Sequence, residues 1–176
     1  MSDPRYPIGP FTLPSSVSAD ALARAIDDMS RAPALLTEAV RGLTSEQMET
    51  PHRPDGWCPR QIAHHVPDSH LNGYTRMKLA LTEDTPTIKG YEEARWAELA
   101  DVRTVPVAHS LTLLEALHER WVGLARALGP EDWKRAFRHP ENGRVIPLDV
   151  HVCLYAWHGK HHAAQITSLR ERMGWR

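Results

Sequence analysis

Apolar residues recur at helical spacing along four long stretches of this chain. After Ser18, a suitable N-cap, Leu22, Ile26, Met29, Leu36 and Val40 mark one face of a first helix that should end at Gly42. Pro33 falls inside that pattern and is expected to bend it. Thr44 and Gln47 match a capping box over a short helical turn, and Pro51, Pro54 and Gly56 then make a loop. Pro59 suits the first position of a second helix that carries Ile62, Val66, Ser69, Gly73, Met77 and Ala80 on one side and runs to about Thr82. Within it Pro67 removes a backbone donor, at a cost of about 3 kcal/mol in an ordinary helix interior, which predicts a kink or widened turn. A long connection over residues 83–106, with one short helix near 92–99, leads to a third helix over 110–128. Its stripe is Leu111, Leu114, Leu117, Trp121, Leu124 and Leu128, and Gly129-Pro130 is its stop. Residues 131–137 read as one or two further helical turns, and 139–144 as a tight turn centred on Asn142-Gly143, with a small hairpin as a further reading. The fourth helix spans 148–174.

Four amphipathic helices without a convincing sheet predict an all-α four-helix bundle, a single domain over residues 1–176. Its N-terminal 1–16 form an extended arm, because Pro4, Pro7, Pro10 and Pro14 forbid helix; Tyr6, Ile8 and Phe11 are expected to anchor it. The short 43–58 link predicts that the first two long helices are antiparallel neighbours, whereas the 83–106 link is long enough to cross the bundle and leave the second and third parallel. A formal charge of -1 gives no electrostatic reason to expect nucleic acid or an anionic membrane. The longest apolar run, 152–157, is too short to span a bilayer, and the N-terminus lacks a basic and apolar leader pattern, so a cytoplasmic protein is expected. Cys58 and Cys153 are too few for a disulfide framework and show no CxxC spacing.

Candidate chemistry lies in the 11 histidines. On the fourth helix His151, His158, His162 and Gln165 fall within about 60° of arc, together with Leu169, so a face that should enter the core is half imidazole. His158 and His162, spaced i and i+4, leave the helix on one side and can close on a single metal ion. Most such pairs are not ligands. Here the pair is on the core side, and a second cluster, His64, His65 and His70, stands on another helix that could bring a third ligand.

Several stretches together resemble the YfiT-type branch of the DinB superfamily: Arg5-Tyr6-Pro7-Ile8-Gly9, Gly56-Trp57, Arg60-Gln61 leading to His64-His65, Asp68-Ser69-His70, Lys78-Leu79-Ala80-Leu81-Thr82-Glu83, Leu117-His118-Glu119-Arg120-Trp121, and Tyr155-Ala156-Trp157-His158-Gly159-Lys160-His161-His162. The resemblance covers nearly the whole chain. It implies a four-helix bundle, a homodimer, and one divalent metal ion per chain, Zn2+ or Ni2+, on His65, His158 and His162. It also implies a metal-dependent hydrolase, or a transferase that uses a low-molecular-weight thiol such as bacillithiol. Two residues depart from the pattern. Pro67 stands where a small helix former is usual, and Cys58 stands where a threonine would cap the second helix, a place where a thiol can become reactive but where a buried small residue is the simpler account.

Helical projection supports His65 over His64 independently. With His65 at zero, the apolar side of its helix lies near 80°, so His65 sits on the rim of the buried face while His64 points about 180° away from it, into solvent. His70 and His161 are not expected as ligands. Asp68, one turn after His65, is a candidate acceptor for that ring; His151 and Gln165 are candidates for lining the pocket or supporting a ligand. Lys160, Arg60 and Arg76 read as solvated helix residues or as groups that recognise an anionic substrate. Three imidazoles leave a fourth metal position open, as in catalytic zinc sites. Water there would be activated for hydrolysis, and a thiol would be deprotonated to a nucleophile. Between His158 and His162 stand Gly159, Lys160 and His161, with no glutamate of the H-E-x-x-H kind, which favours thiol transfer to an electrophilic substrate over hydrolysis. A protein that binds metal or ligand without turnover is a further reading.

Overall fold

The computed structural model describes residues 3–141 and 143–175. Long helices form where the periodicity places them: α1 (Ala19–Val40), α3 (Pro59–Thr82), α6 (Val107–Ala127) and α7 (Leu148–Met173), with short helices α2 (Ser45–Met48), α4 (Glu93–Trp96) and α5 (Ala100–Thr104) between them. Ser18 caps α1 by accepting from the Ala21 amide at 3.2 Å, and the Thr44–Gln47 capping box closes on α2. Gly174 ends α7 in the left-handed conformation at φ 67°. α1 runs unbroken through Pro33, and α3 through Pro67. The third long helix starts earlier than expected, with Pro106 as its N-cap.

The segment expected to add helical turns after α6 does so only over Asp132–Lys134, a 3-10 turn. The chain then extends into β1 (Ala136–Arg138), which pairs antiparallel with β2 (Val145–Pro147). The hairpin reading of this region is therefore the right one, although Asn142 at the expected turn centre lies outside the described residues.

Helix adjacency differs from the expectation. α1 packs on α7 and α6, and α3 packs on the same two, so α1 and α3 face each other across the diagonal rather than as neighbours. The reason lies in side-chain size: Gly159 of α7 sits where a Cβ would come within 2.8 Å of the Ala32 Cβ, so α1 and α7 approach closely. Contacts fix the directions. His64, His70 and Met77 of α3 meet Ser110, His118 and Trp121 of α6 in increasing order, so these helices are parallel, as the long 83–106 link allows. In the same way α1 and α7 are parallel, while α3 and α7 are antiparallel. The core has two parts: one around Trp121, Met29, Met77 and Phe137, the other around Leu36, Ile62, Leu114 and Ile166. The histidine-rich layer of α7 runs between them. No helix among the described residues is long and apolar enough to cross a membrane.

The N-terminal arm lies against α7. Trp157 Nε1 donates to the Gly9 carbonyl at 3.1 Å, Phe11 packs on the Trp157 ring, and Tyr6 meets His161. Ile8, expected as an anchor, is exposed instead, because the backbone bond at Gly9 and the Phe11 ring already hold this part of the arm.

Candidate metal centre

His65 from α3 and His158 and His162 from α7 converge. One ring nitrogen from each lies within 4.8 Å of the others, and among the described residues no other His, Cys, Asp or Glu joins a group of this kind. Antiparallel packing of α3 on α7 places His65 opposite the one-turn interval between the other two, with ring centroids 5.4 Å from His158 and 4.9 Å from His162. Three nitrogens about 2.1 Å from one zinc ion lie roughly 3.4 Å apart in a tetrahedral arrangement, so the donor set fits after a shift of under about 1 Å per ring. Trp57, on the loop that enters α3, covers the group with its centroid 4.5 Å from that of His65.

Electrostatics favour lone pairs here. Burial holds His65 at a pKa of about 4, and burial followed by neighbouring histidines holds His158 and His162 well below the ordinary imidazole range. All three rings are neutral at pH 7, the state in which imidazole ligates metal. The His65 side chain makes no hydrogen bond among the described residues, so no protein group competes with a cation for its ring nitrogens. His162 Nδ1–H donates to Gln165 Oε1 at 2.9 Å, which leaves its Nε2 bare. Gln165 is in turn oriented by donating to the Arg5 carbonyl and to His161 Nε2.

A cavity of about 280 Å³ opens beside His162, lined by Arg5 and Tyr6 of the arm, His52, Arg53 and Trp57 of the loop, and His161 and Gln165 of α7. Sequence reasoning overlooked His52 and Arg53 because they lie in a loop with no periodicity. His52 Nδ1–H donates to the Trp57 carbonyl at 2.8 Å, and its Nε2 is buried without a partner among the described residues. Lys160 pairs instead with Asp28 at 2.6 Å, Arg60 pairs with Glu49, and Arg76 reaches the Lys89 carbonyl, so none of the three lines this cavity.

The remaining residues that the helical pattern singled out fall elsewhere, and the tertiary packing explains each. His64 is buried rather than solvated: its Nδ1 lies 2.7 Å from Ser110 Oγ of α6, and the 83–106 connection, with Val102 buried, folds over that side of α3. Asp68 makes no hydrogen bond to His65 among the described residues; burial and then the charge of Asp101 raise its carboxyl to about 6. His151 lies in the core, not the pocket, donating from Nε2 to the Gly73 carbonyl at 2.9 Å. Cys58 is buried 3.8 Å from Glu49 Oε2, and burial first, then that carboxylate, raises its pKa, which fits the structural account of this residue.

The sequence profile of the DinB superfamily matches residues 28–166. This chain belongs to the DinB superfamily. A Bacillus cereus (strain ATCC 10987 / NRS 248) protein named "Putative metal-dependent hydrolase" is 50% identical over 175 residues, covering 99% of this chain and 100% of that protein. A Bacillus mycoides (strain KBAB4) relative of the same description is 48% identical over equal spans. The solved structure of YfiT from Bacillus subtilis, described as "a probable metal-dependent hydrolase with an unusual four-helix bundle topology", superposes with a TM-score of 0.95 at 44% identity, over 98% of this chain and 99% of that one. The parallel α1–α7 and α3–α6 pairs are the topology of this DinB bundle.

Proposed function

We propose that His65, His158 and His162 hold one divalent cation, zinc or nickel, and that the chain is a metal-dependent enzyme that joins a low-molecular-weight thiol to an electrophile. The observation that carries this reading is the donor set itself: three neutral imidazoles with no carboxylate among them. A divalent ion held there supplies an open position and a positive charge that lowers the pKa of a thiol entering it. Thiolate attack needs no neighbouring base once the proton has left, whereas attack by water is helped by one. The chain supplies the rest. Gln165 holds the His162 ring, Trp57 shields His65 from water, and Arg53 in the pocket wall suits an acidic thiol of the bacillithiol kind.

Hydrolysis is the second reading, supported by the names of the relatives and by His52. That residue lines the same pocket, and burial keeps its ring neutral, the form in which an imidazole can serve as a general base. The test is to incubate zinc- or nickel-loaded protein with an aryl halide or epoxide and a panel of thiols, bacillithiol included. Metal-dependent conjugate is the expected result. Turnover of an ester or amide without thiol would replace the transferase reading with the hydrolase one. A homodimer with one metal per chain is part of the proposal, read by light scattering and elemental analysis.

A further inference from the structure

Behind the proposed ligand His158 stands a row of imidazoles from three helices. His158 Nδ1 lies 3.1 Å from His70 Nε2; His70 Nδ1 lies 2.7 Å from His118 Nε2; and His118 Nδ1 lies 2.7 Å from the Met29 carbonyl oxygen of α1. His70 and His118 have ring centroids 4.8 Å apart with planes only 28° apart. With 2.7 Å between nitrogens, that is a nearly coplanar head-to-head pair, the geometry of an N–H···N bond and not of a face-to-face stack. Both residues are at most 2% exposed, and Tyr155 stands edge-on to His70 at 90°.

The Met29 carbonyl is available because of a proline. In α1 it would ordinarily accept from the amide of residue 33, but Pro33 has no N–H, and the helix nonetheless continues. A carbonyl can only accept, and a neutral imidazole has one donor and one acceptor nitrogen, so the direction of the whole row follows from that end. His118 donates from Nδ1 and accepts at Nε2; His70 donates from Nδ1 and accepts at Nε2; His158 must then donate from Nδ1. Its Nε2 is left as a bare lone pair, on the side of His65 and His162.

We infer that Met29, His118 and His70 form a tautomer lock that fixes His158 with Nδ1 protonated and Nε2 free for the cation, and that Pro33 in α1 makes the lock possible. His70 and His118 are positioning residues. Any positive charge gained at His158 Nε2 strengthens its donation to His70 and polarises the bonds behind it, a role that a carboxylate or single carbonyl fills at most metal-bound histidines. The row ends on an acceptor that cannot take up a proton, so it orients and does not conduct.

This inference rests on the proposed metal site, and its test separates the two. In metal-free, 15N-histidine-labelled protein at pH 8, long-range proton–nitrogen correlation should show His118, His70 and His158 all protonated at Nδ1. An Nε2–H form of His158 in the wild type would overturn the lock, whatever the variants do. In His118→Leu the row loses its acceptor, so His158 should shift toward the Nε2–H form, and zinc affinity, measured against a chromophoric chelator, should fall roughly tenfold or more. His118→Gln, which carries an acceptor and a donor on one amide, should restore both readouts. A merely structural His118 would lower stability in both variants and leave the His158 tautomer unchanged, which would overturn the inference. Expected tautomers in a wild-type protein that takes up neither zinc nor nickel would overturn the metal reading and leave the lock standing.

Discussion

Acidification should destabilise the metal-free protein through histidines remote from the pocket, and His151 isolates the effect. Its ring is 1% exposed, bonded to the Gly73 carbonyl and met edge-on by Phe137. Burial lowers its pKa to about 4, against the opposing effect of the Gly73 bond. His118 is lowered to about 4 in the same way, with the Met29 carbonyl opposing. An unfolded histidine titrates near 6.5. Because the folded pKa lies below the unfolded one, the unfolded chain holds more protons between these values, so stability is full above about pH 6.5 and declines as pH falls toward 4. At pH 5 the difference is about 2 kcal/mol per ring, or about 4 kcal/mol for the pair, against a total of about 5–15 kcal/mol for a typical domain. Urea unfolding in the presence of chelator at pH 8 and pH 5 measures the loss. Carboxylates also contribute to acid sensitivity, so the decisive comparison is His151→Gln, which keeps a donor for Gly73 and does not titrate. Its pH 8 to pH 5 loss should be smaller than that of the wild type by about 2 kcal/mol. An equal loss in the two proteins would refute the assignment of a buried, neutral His151.

Two further outcomes test the site and its frame. His65→Ala should abolish stoichiometric zinc while leaving a helical circular dichroism spectrum, whereas His64→Ala should keep the zinc and lose about 1 kcal/mol with its buried bond to Ser110; elemental analysis showing the reverse pattern would overturn the ligand assignment. Gly73→Ala puts a Cβ 2.4 Å from Tyr155 Cζ and 2.6 Å from Trp121 Cη2, so a loss of about 1–3 kcal/mol in urea unfolding is expected, and wild-type stability would contradict the packing of α3 against α6 and α7.

The i, i+4 spacing of His158 and His162 is local geometry, and a helix of any surroundings would present both rings on one side; that part of the site was readable from the chain alone. The same holds for the four long helices, whose apolar stripes and caps are encoded within each segment, and for His65, whose position on the rim of its own helix survives in the fold. Periodicity reports where a residue points relative to its own helix axis, but not which element stands in front of it. His64 therefore projects into solvent on its own helix, and only the packing of α6, through Ser110, and of the folded 83–106 connection buries it. Pro33 reads as a source of bending; its second consequence, a carbonyl left for His118, exists only once α6 lies beside α1. His118 itself stands within a recognisable stretch without an assigned role, because a bond to His70 requires α3 and α6 to run parallel at matching heights. That arrangement is decided by close contacts such as Gly159 on Ala32 and Gly73 beneath Tyr155 and Trp121, where the fit of side chains from different helices, and not the pattern along any one of them, selects the neighbours.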